Sequence, residues 1–181
     1  MQELPRWLTI LVQPGERLGS ETEALGRTIQ IATSSARHGG GPFGALVTTE
    51  DLEVVSVGWN HVIESRDSTA HAEVTALRGA QQALDTHDLS QASEGPLTMF
   101  SSCAPCIQCY GALYWSGLQR IISAAPASAA EAIGFQEGPV TQELWEIART
   151  DKGLVHRQDA ESDRDPLKPF QVYEAAGGEV Y

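Results

Sequence analysis

Three features of the chain predict a three-layer α/β domain. A capped amphipathic helix precedes a β-hairpin, strand-like and helix-like segments then alternate, and 181 residues suffice for one such domain but are short for two. The helix signal opens at Ser20-Glu21-Thr22-Glu23, a capping box in which the Ser hydroxyl and the Glu carboxylate satisfy each other's free backbone N–H groups. Leu25, Thr28, Ile29 and Ala32 recur on one helical face, and the helix is expected to end near Arg37, where His38-Gly39-Gly40-Gly41-Pro42 breaks it. Residues 43–49 and 54–59, joined by the acidic turn 50–53, read as the hairpin. A polar loop over 60–69 leads into a second helix over 70–84, rich in strong helix formers. After the polar stretch 85–95, residues 97–102 read as a buried strand, 105–115 as a helix with Pro105 in its first turn, and 120–124 as another strand. Further helices are expected over 128–133, 141–148 and 166–176, a charged loop over 150–165, and an apolar-tipped tail over 177–181.

Charge and processing signals narrow the function. Twelve Lys and Arg against twenty-four Asp and Glu give a net charge of −12, which repels phosphate backbones, so nucleic acid is not an expected partner and small neutral substrates remain open. The apolar run 7–12 is too short for a signal-peptide core and is followed by Gln13-Pro14, not by small residues. With no stretch long enough to span a membrane, a cytoplasmic protein without membrane contacts is expected.

The chemistry concentrates in two short motifs. Cys103, Cys106 and Cys109, the whole cysteine content, fall within seven residues, poor spacing for disulfides and good spacing for a metal or redox site. Pro105-Cys106-Ile107-Gln108-Cys109 sets two sulfurs at i and i+3 at a helix start, where free N–H groups favour thiolates, and His71-Ala72-Glu73 stands at another helix start. Two thiolates and an imidazole suit zinc with its fourth position open, and Glu73 can serve as acid/base toward the attacking water without being a ligand. Two alternatives stand beside this. A thioredoxin-type pair leaves the His-Ala-Glu unexplained, and a closed structural zinc site requires Cys103 as fourth ligand, whereas the end of a buried strand suits Cys103 as an apolar filler.

A His-x-Glu with a Pro-Cys-x-x-Cys is the zinc-deaminase signature, and the sequence resembles the cytidine-deaminase-like superfamily, in particular bacterial guanine deaminases. The resemblance runs through Gly40-Gly41-Pro42-Phe43-Gly44-Ala45, Gly58-Trp59-Asn60, Thr69 to Ala76, Tyr114-Trp115-Ser116-Gly117, Glu131 to Glu137, and Pro169-Phe170-Gln171 with Tyr181. It starts at about Thr22 and leaves the first twenty residues unaccounted for.

The resemblance implies an α/β/α sandwich around a mixed five-stranded sheet, with one zinc per subunit held by His71, Cys106 and Cys109 and with Glu73 as proton shuttle. It assigns Glu137, otherwise an ordinary acid in a turn, to a second proton-moving role, because guanine loses its amino group from a carbon flanked by ring nitrogens. It assigns substrate contacts to Asn60, Phe43, Ala72, Trp115 and Tyr181. Residues 1–181 form one deaminase domain on this reading, with an N-terminal extension over 1–19 and a segment over 166–181 that closes the active site and is exchanged within a homodimer. The implied reaction converts guanine to xanthine and ammonia; guanosine, cytosine or an s-triazine such as ammeline are the alternative substrates. Ala104 departs from the pattern, since relatives commonly carry Glu before the Pro-Cys pair, and the departure removes a charge near the thiolates but no ligand. His38, His61, His87 and His156 read as solvated loop residues, His61 alone being expected near the pocket.

Overall fold

The computed structural model describes residues 4–92, 94–158 and 161–181. In chain order it contains α1 (Arg6–Thr9), α2 (Glu21–Arg37), β1 (Gly44–Thr48), β2 (Val54–Trp59), α3 (Val62–Ser65), α4 (Ala72–Ala83), a 3₁₀ turn (Leu89–Gln91), β3 (Thr98–Cys103), α5 (Ile107–Trp115), β4 (Arg120–Ala125), α6 (Ala127–Glu131), α7 (Gln142–Lys152), β5 (Val155–Arg157) and α8 (Lys168–Ala175). The strands form one mixed five-stranded sheet in the order β2-β1-β3-β4-β5. β1 runs antiparallel to β2 and β3, while β3, β4 and β5 are parallel.

Alternating side chains divide the sheet between two apolar layers. Ala45, Val47, Met99 and Ile121 pack with α4, α5 and α7, whereas Leu46, Val57, Phe100 and Ile122 pack with α1 and α2. A third cluster, with Ala36, Cys103, Ala125, Phe135, Phe170 and Tyr173, brings α8 to the carboxyl ends of β3 and β4. The expected cap of α2 forms, with the Ser20 hydroxyl accepting from Glu23 N at 3.1 Å. No helix among the described residues is long and apolar enough to cross a membrane.

Three segments differ from the sequence expectation. The polar stretch 60–69 contains the one-turn helix α3. The charged stretch 150–165 contains the end of α7 and the strand β5, because the open edge of β4 supplies hydrogen-bond partners that three residues without a periodic pattern cannot announce. Glu21 reinforces that edge by bridging Arg120 at 2.7 Å and Arg157 at 2.6 Å. The run 7–12 belongs to the core: Leu8 and Val12 are buried against α2. Residues 15–18 then cover part of the β2 edge through Gly15 N to Val54 O at 2.7 Å, Val54 N to Glu16 O at 2.8 Å and Leu18 N to Leu52 O at 3.0 Å.

The contact that places α4 is backbone on backbone. A Cβ on Gly58 of β2 would lie 2.0 Å from Ala72 O and 2.6 Å from Ala76 N, so the helix rests directly on the strand. Gly58→Ala is therefore expected to destabilise the fold by about 3 kcal/mol. The melting temperature should fall by roughly 6–12 °C, and a thermal melt close to that of the unsubstituted protein would refute backbone-distance packing.

Candidate active site

The site lies beyond the carboxyl end of β3, where the N-termini of α4 and α5 converge, the usual ligand position in an open α/β sheet. His71 and Cys106 are the N-cap residues of α4 and α5, both in extended backbone conformation, and neither side chain caps its own helix. Both are thereby free to face one another. His71 Nδ1 lies 3.4 Å from Cys106 Sγ and 3.6 Å from Cys109 Sγ, and the three donor atoms lie within 4.8 Å of one another. A tetrahedral zinc with ordinary Zn–N and Zn–S bonds separates N from S by about 3.5 Å. The donor set therefore fits zinc, with three protein ligands and one position left open. Cys103 points elsewhere: its thiol donates to Pro126 O at 3.5 Å and packs among the apolar residues under α8, as a filler and not a fourth ligand.

The electrostatics also call for a cation. The Cys106 thiol is held down to about 4, chiefly by the Cys109 hydrogen bond and then by His71. Cys109 is driven well up by sharing that bond, by burial and by Glu73. Burial, followed by the Cys106 charge, raises Glu73, and the same two causes with Glu73 itself push Glu137 up to about 8. For His71, burial opposes protonation, but the neighbouring Cys106 outweighs it and raises the imidazole. Without a bound cation the cluster accommodates its buried negative charge by retaining protons; a divalent ion reverses that logic.

Each acid has a structural reason for its place. Glu73 sits in the first turn of α4, with Ser101 Oγ donating to Oε1 at 2.9 Å and Cys109 Sγ donating to Oε2 at 3.3 Å. Glu137 is seated beside the metal donors because its carbonyl accepts Ile107 N at 2.8 Å, one residue past Cys106. The following Gly138, at φ +75°, allows that approach, since a Cβ there would meet the Ile107 side chain at 2.6 Å.

Glu73, Glu137, Asn60, Phe43 and Tyr181 share one cavity of about 50 Å³ with His71 and Cys106. Asn60 is buried at the end of β2; its Oδ1 accepts from the Tyr181 hydroxyl and, at 3.4 Å, from Val62 N. Phe43 and Tyr181 both stand edge-on to Phe135, with ring centroids 5.1 and 5.4 Å away.

Several neighbours were given no substrate contact by the sequence. Ala104, named above as the departure beside the thiolates, and Phe135 and Gln136 also line the cavity. The latter two lie inside the 131–137 resemblance, whereas Ser101, the partner of Glu73, is one serine in a buried strand and carries no signal.

Ala72 and Trp115 are not brought to the cavity. Ala72 is fully buried in the core under α4, and Trp115 is 74% exposed with Lys152 Nζ 4.4 Å from its ring centre. Trp115 follows Cys106 by nine residues, so the helical rise carries it about 13 Å from the end of α5 that forms the site. Two histidines also depart from expectation. His61 is buried and stacked on Trp59, and His156 packs on Trp145 while sharing a 2.9 Å hydrogen bond with Ser123.

Elemental analysis of the purified protein provides a direct check of the donor set. Cys106→Ser is expected to lose most bound zinc, and Cys103→Ser to retain it; parallel loss in both would make the site a closed, four-ligand one.

Comparison with known proteins agrees with this geometry. The sequence profile of the cytidine and deoxycytidylate deaminase zinc-binding region matches residues 20–125. The chain is 36% identical over 150 residues to the guanine deaminase of Bacillus subtilis, covering 82% of this chain and 90% of that protein. A structure of the guanine deaminase from Nitrosomonas europaea superposes with a TM-score of 0.86 at 30% identity, covering 96% of this chain and 94% of the other. A protein solved in complex with 2,6-diaminopurine superposes with a TM-score of 0.88 at 32% identity, covering 99% and 94% of the two chains. With a profile match that begins at the capping box and ends with β4, and with the donor atoms of both motifs assembled, the chain belongs to the cytidine and deoxycytidylate deaminase zinc-binding family.

Proposed function

We propose that the protein is a zinc-dependent guanine deaminase that hydrolyses guanine to xanthine and ammonia. The observation that carries this reading is the pair of buried acids, Glu73 and Glu137, on one cavity beside His71, Cys106 and Cys109. The similarity to guanine deaminases from Bacillus subtilis and Nitrosomonas europaea supports it. His71, Cys106 and Cys109 would hold one zinc ion, which when bound lowers the pKa of a water to about 7 and makes it nucleophilic at neutral pH.

The chain's own residues then move protons. Glu73, oriented by Ser101, takes a proton from the attacking water and returns it to the ring. Addition of the oxygen to C2 forms the C2–O bond; the C2–N bond then breaks, Glu137 delivering a proton to the departing amino group and regaining one from the C2 hydroxyl as it becomes the carbonyl of xanthine, so that ammonia leaves and both acids are restored. Asn60 Oδ1 accepts from Val62 N, which leaves its amide N–H groups for an acceptor on the base. Phe43 and Phe135 form an apolar wall that excludes water.

With Tyr181 in place the cavity of about 50 Å³ has room for a water or two. Entry of a base therefore requires residues 177–181 to swing away, and their return closes the site. The segment 166–181 is further proposed to be exchanged within a homodimer.

Ammonia release from guanine, guanosine, cytosine, adenine and ammeline tests the reading, with guanine expected as the preferred substrate and preference for another ring overturning it. Glu73→Ala should lower turnover by about 10³-fold with zinc retained, and Glu137→Gln by about 10²-fold. Full activity of Glu137→Gln would leave Glu73 as the single proton carrier. Deleting residues 177–181 should cripple turnover while leaving the melting temperature unchanged. Light scattering should give twice the 19.5 kDa chain mass for the intact protein; a monomer with full activity would remove the exchanged segment from the proposal.

A further inference from the structure

Residues 4–12 lie outside the family match, yet their one large aromatic side chain packs on His38 and Trp59, on either side of Asn60 in the fold. Trp7 lies face to face with His38, ring centres 5.1 Å apart and planes at 12°, and edge-on to Trp59 at 6.4 Å and 86°. Each partner leads to Asn60. Trp59 and His61, its two chain neighbours, stack on one another at 4.7 Å. His38 begins the glycine turn on its other side: a Cβ on Gly40 would lie 2.4 Å from Asn60 O, and one on Gly41 would lie 2.8 Å from Asn60 Cγ. Ser35 ties the two walls together, its hydroxyl donating to Asn60 O at 3.1 Å and its carbonyl accepting from Gly40 N at 2.9 Å. Asn60 thus sits between the glycine turn that follows His38 and the stacked Trp59 and His61, and Trp7 packs on the first residue of each, His38 and Trp59.

Anchoring the segment and bracing the slot fall to different side chains. Leu8 and Val12 are almost wholly buried against α2 and hold residues 4–12 to the core, whereas Trp7 is half-buried. A groove of about 470 Å³ lies among Trp7, His38, Trp59, His61 and Glu64. Removing the Trp7 ring would enlarge that space and leave His38 and Trp59 without close packing to replace it.

We propose that Trp7 is a positioning residue for Asn60, bracing the glycine turn and the end of β2 so that the Asn60 amide meets the substrate in a fixed orientation. The inference rests on the guanine-binding role of Asn60 given above. Trp7 itself touches neither substrate nor metal donors.

The test uses the full-length, zinc-loaded protein with Trp7→Ala, Trp7→Phe and Leu8→Ala. Trp7→Ala is expected to raise the KM for guanine about tenfold, with kcat within about twofold and zinc content unchanged. Trp7→Phe, which keeps a ring in the stack, should restore KM to within about twofold of the original value. Amide hydrogen exchange should accelerate over residues 38–44 and 57–62 in Trp7→Ala and stay unchanged in β3. Leu8→Ala should lower the melting temperature and leave KM of the folded enzyme in place. An unchanged KM in Trp7→Ala, a fall in kcat at constant KM, or uniformly faster exchange would overturn the proposal. Should Trp7→Ala fail to fold, His38→Ala, at an exposed position, must reproduce the local exchange change and the rise in KM, or the brace is refuted. The two readings fail separately: an original enzyme that releases no ammonia from guanine sinks the substrate assignment, while the exchange pattern still decides the brace.

Discussion

Two thiols, an imidazole and two carboxyls share one small volume at the end of β3, and that concentration of titratable groups is the constraint on which the site depends. Water does not solvate them adequately: Cys109 and Glu73 are almost fully buried and Glu137 nearly so. The group therefore either keeps protons on Cys109 and the carboxyls or takes up a cation, and the donor spacings of 3.4 and 3.6 Å match the second option. Burial and the neighbouring Cys106 charge raise both carboxyls above their ordinary range in the metal-free cluster.

Holding those groups in place falls to the backbone more than to the side chains. α4 rests on β2 through Gly58, which fixes the height of His71 and Glu73 above the sheet. The turn from β3 into α5 fixes Cys106, and the bond from Ile107 N to Glu137 O ties the second acid to that turn. Ser101 then sets the rotation of the Glu73 carboxylate. An error of an ångström in these contacts would displace the three donor atoms and the two acids relative to one another.

The surroundings bear on the proposed substrate class. A net charge of −12 disfavours a polyanionic ligand, and a cavity that opens only when Tyr181 moves aside favours a small one. Phe43 and Phe135 line it with apolar rings and Asn60 with an amide, the kind of mixed lining small-molecule pockets carry.

Much of this was legible in the chain. Ser20 and Glu23 marked the start of α2, the hairpin followed from two β-rich runs about an acidic turn, and the spacings of His71 with Glu73 and of Cys106 with Cys109 pointed to a metal with an open position. These signals are local, carried by residues within a turn or two of one another. Glu137 and Asn60 stood out by resemblance alone, since an acid in a turn and an Asn at a strand end are ordinary by themselves. β5, the docking of Leu8 and Val12, the burial of His61, the packing of His156 on Trp145, the exclusion of Trp115 from the cavity and the bond from Ser101 to Glu73 depend on neighbours distant in sequence. Local pattern determined which residues could do the chemistry; tertiary packing decided which of them meet, because burial and donor distance are properties of contacts between segments that the chain order does not specify.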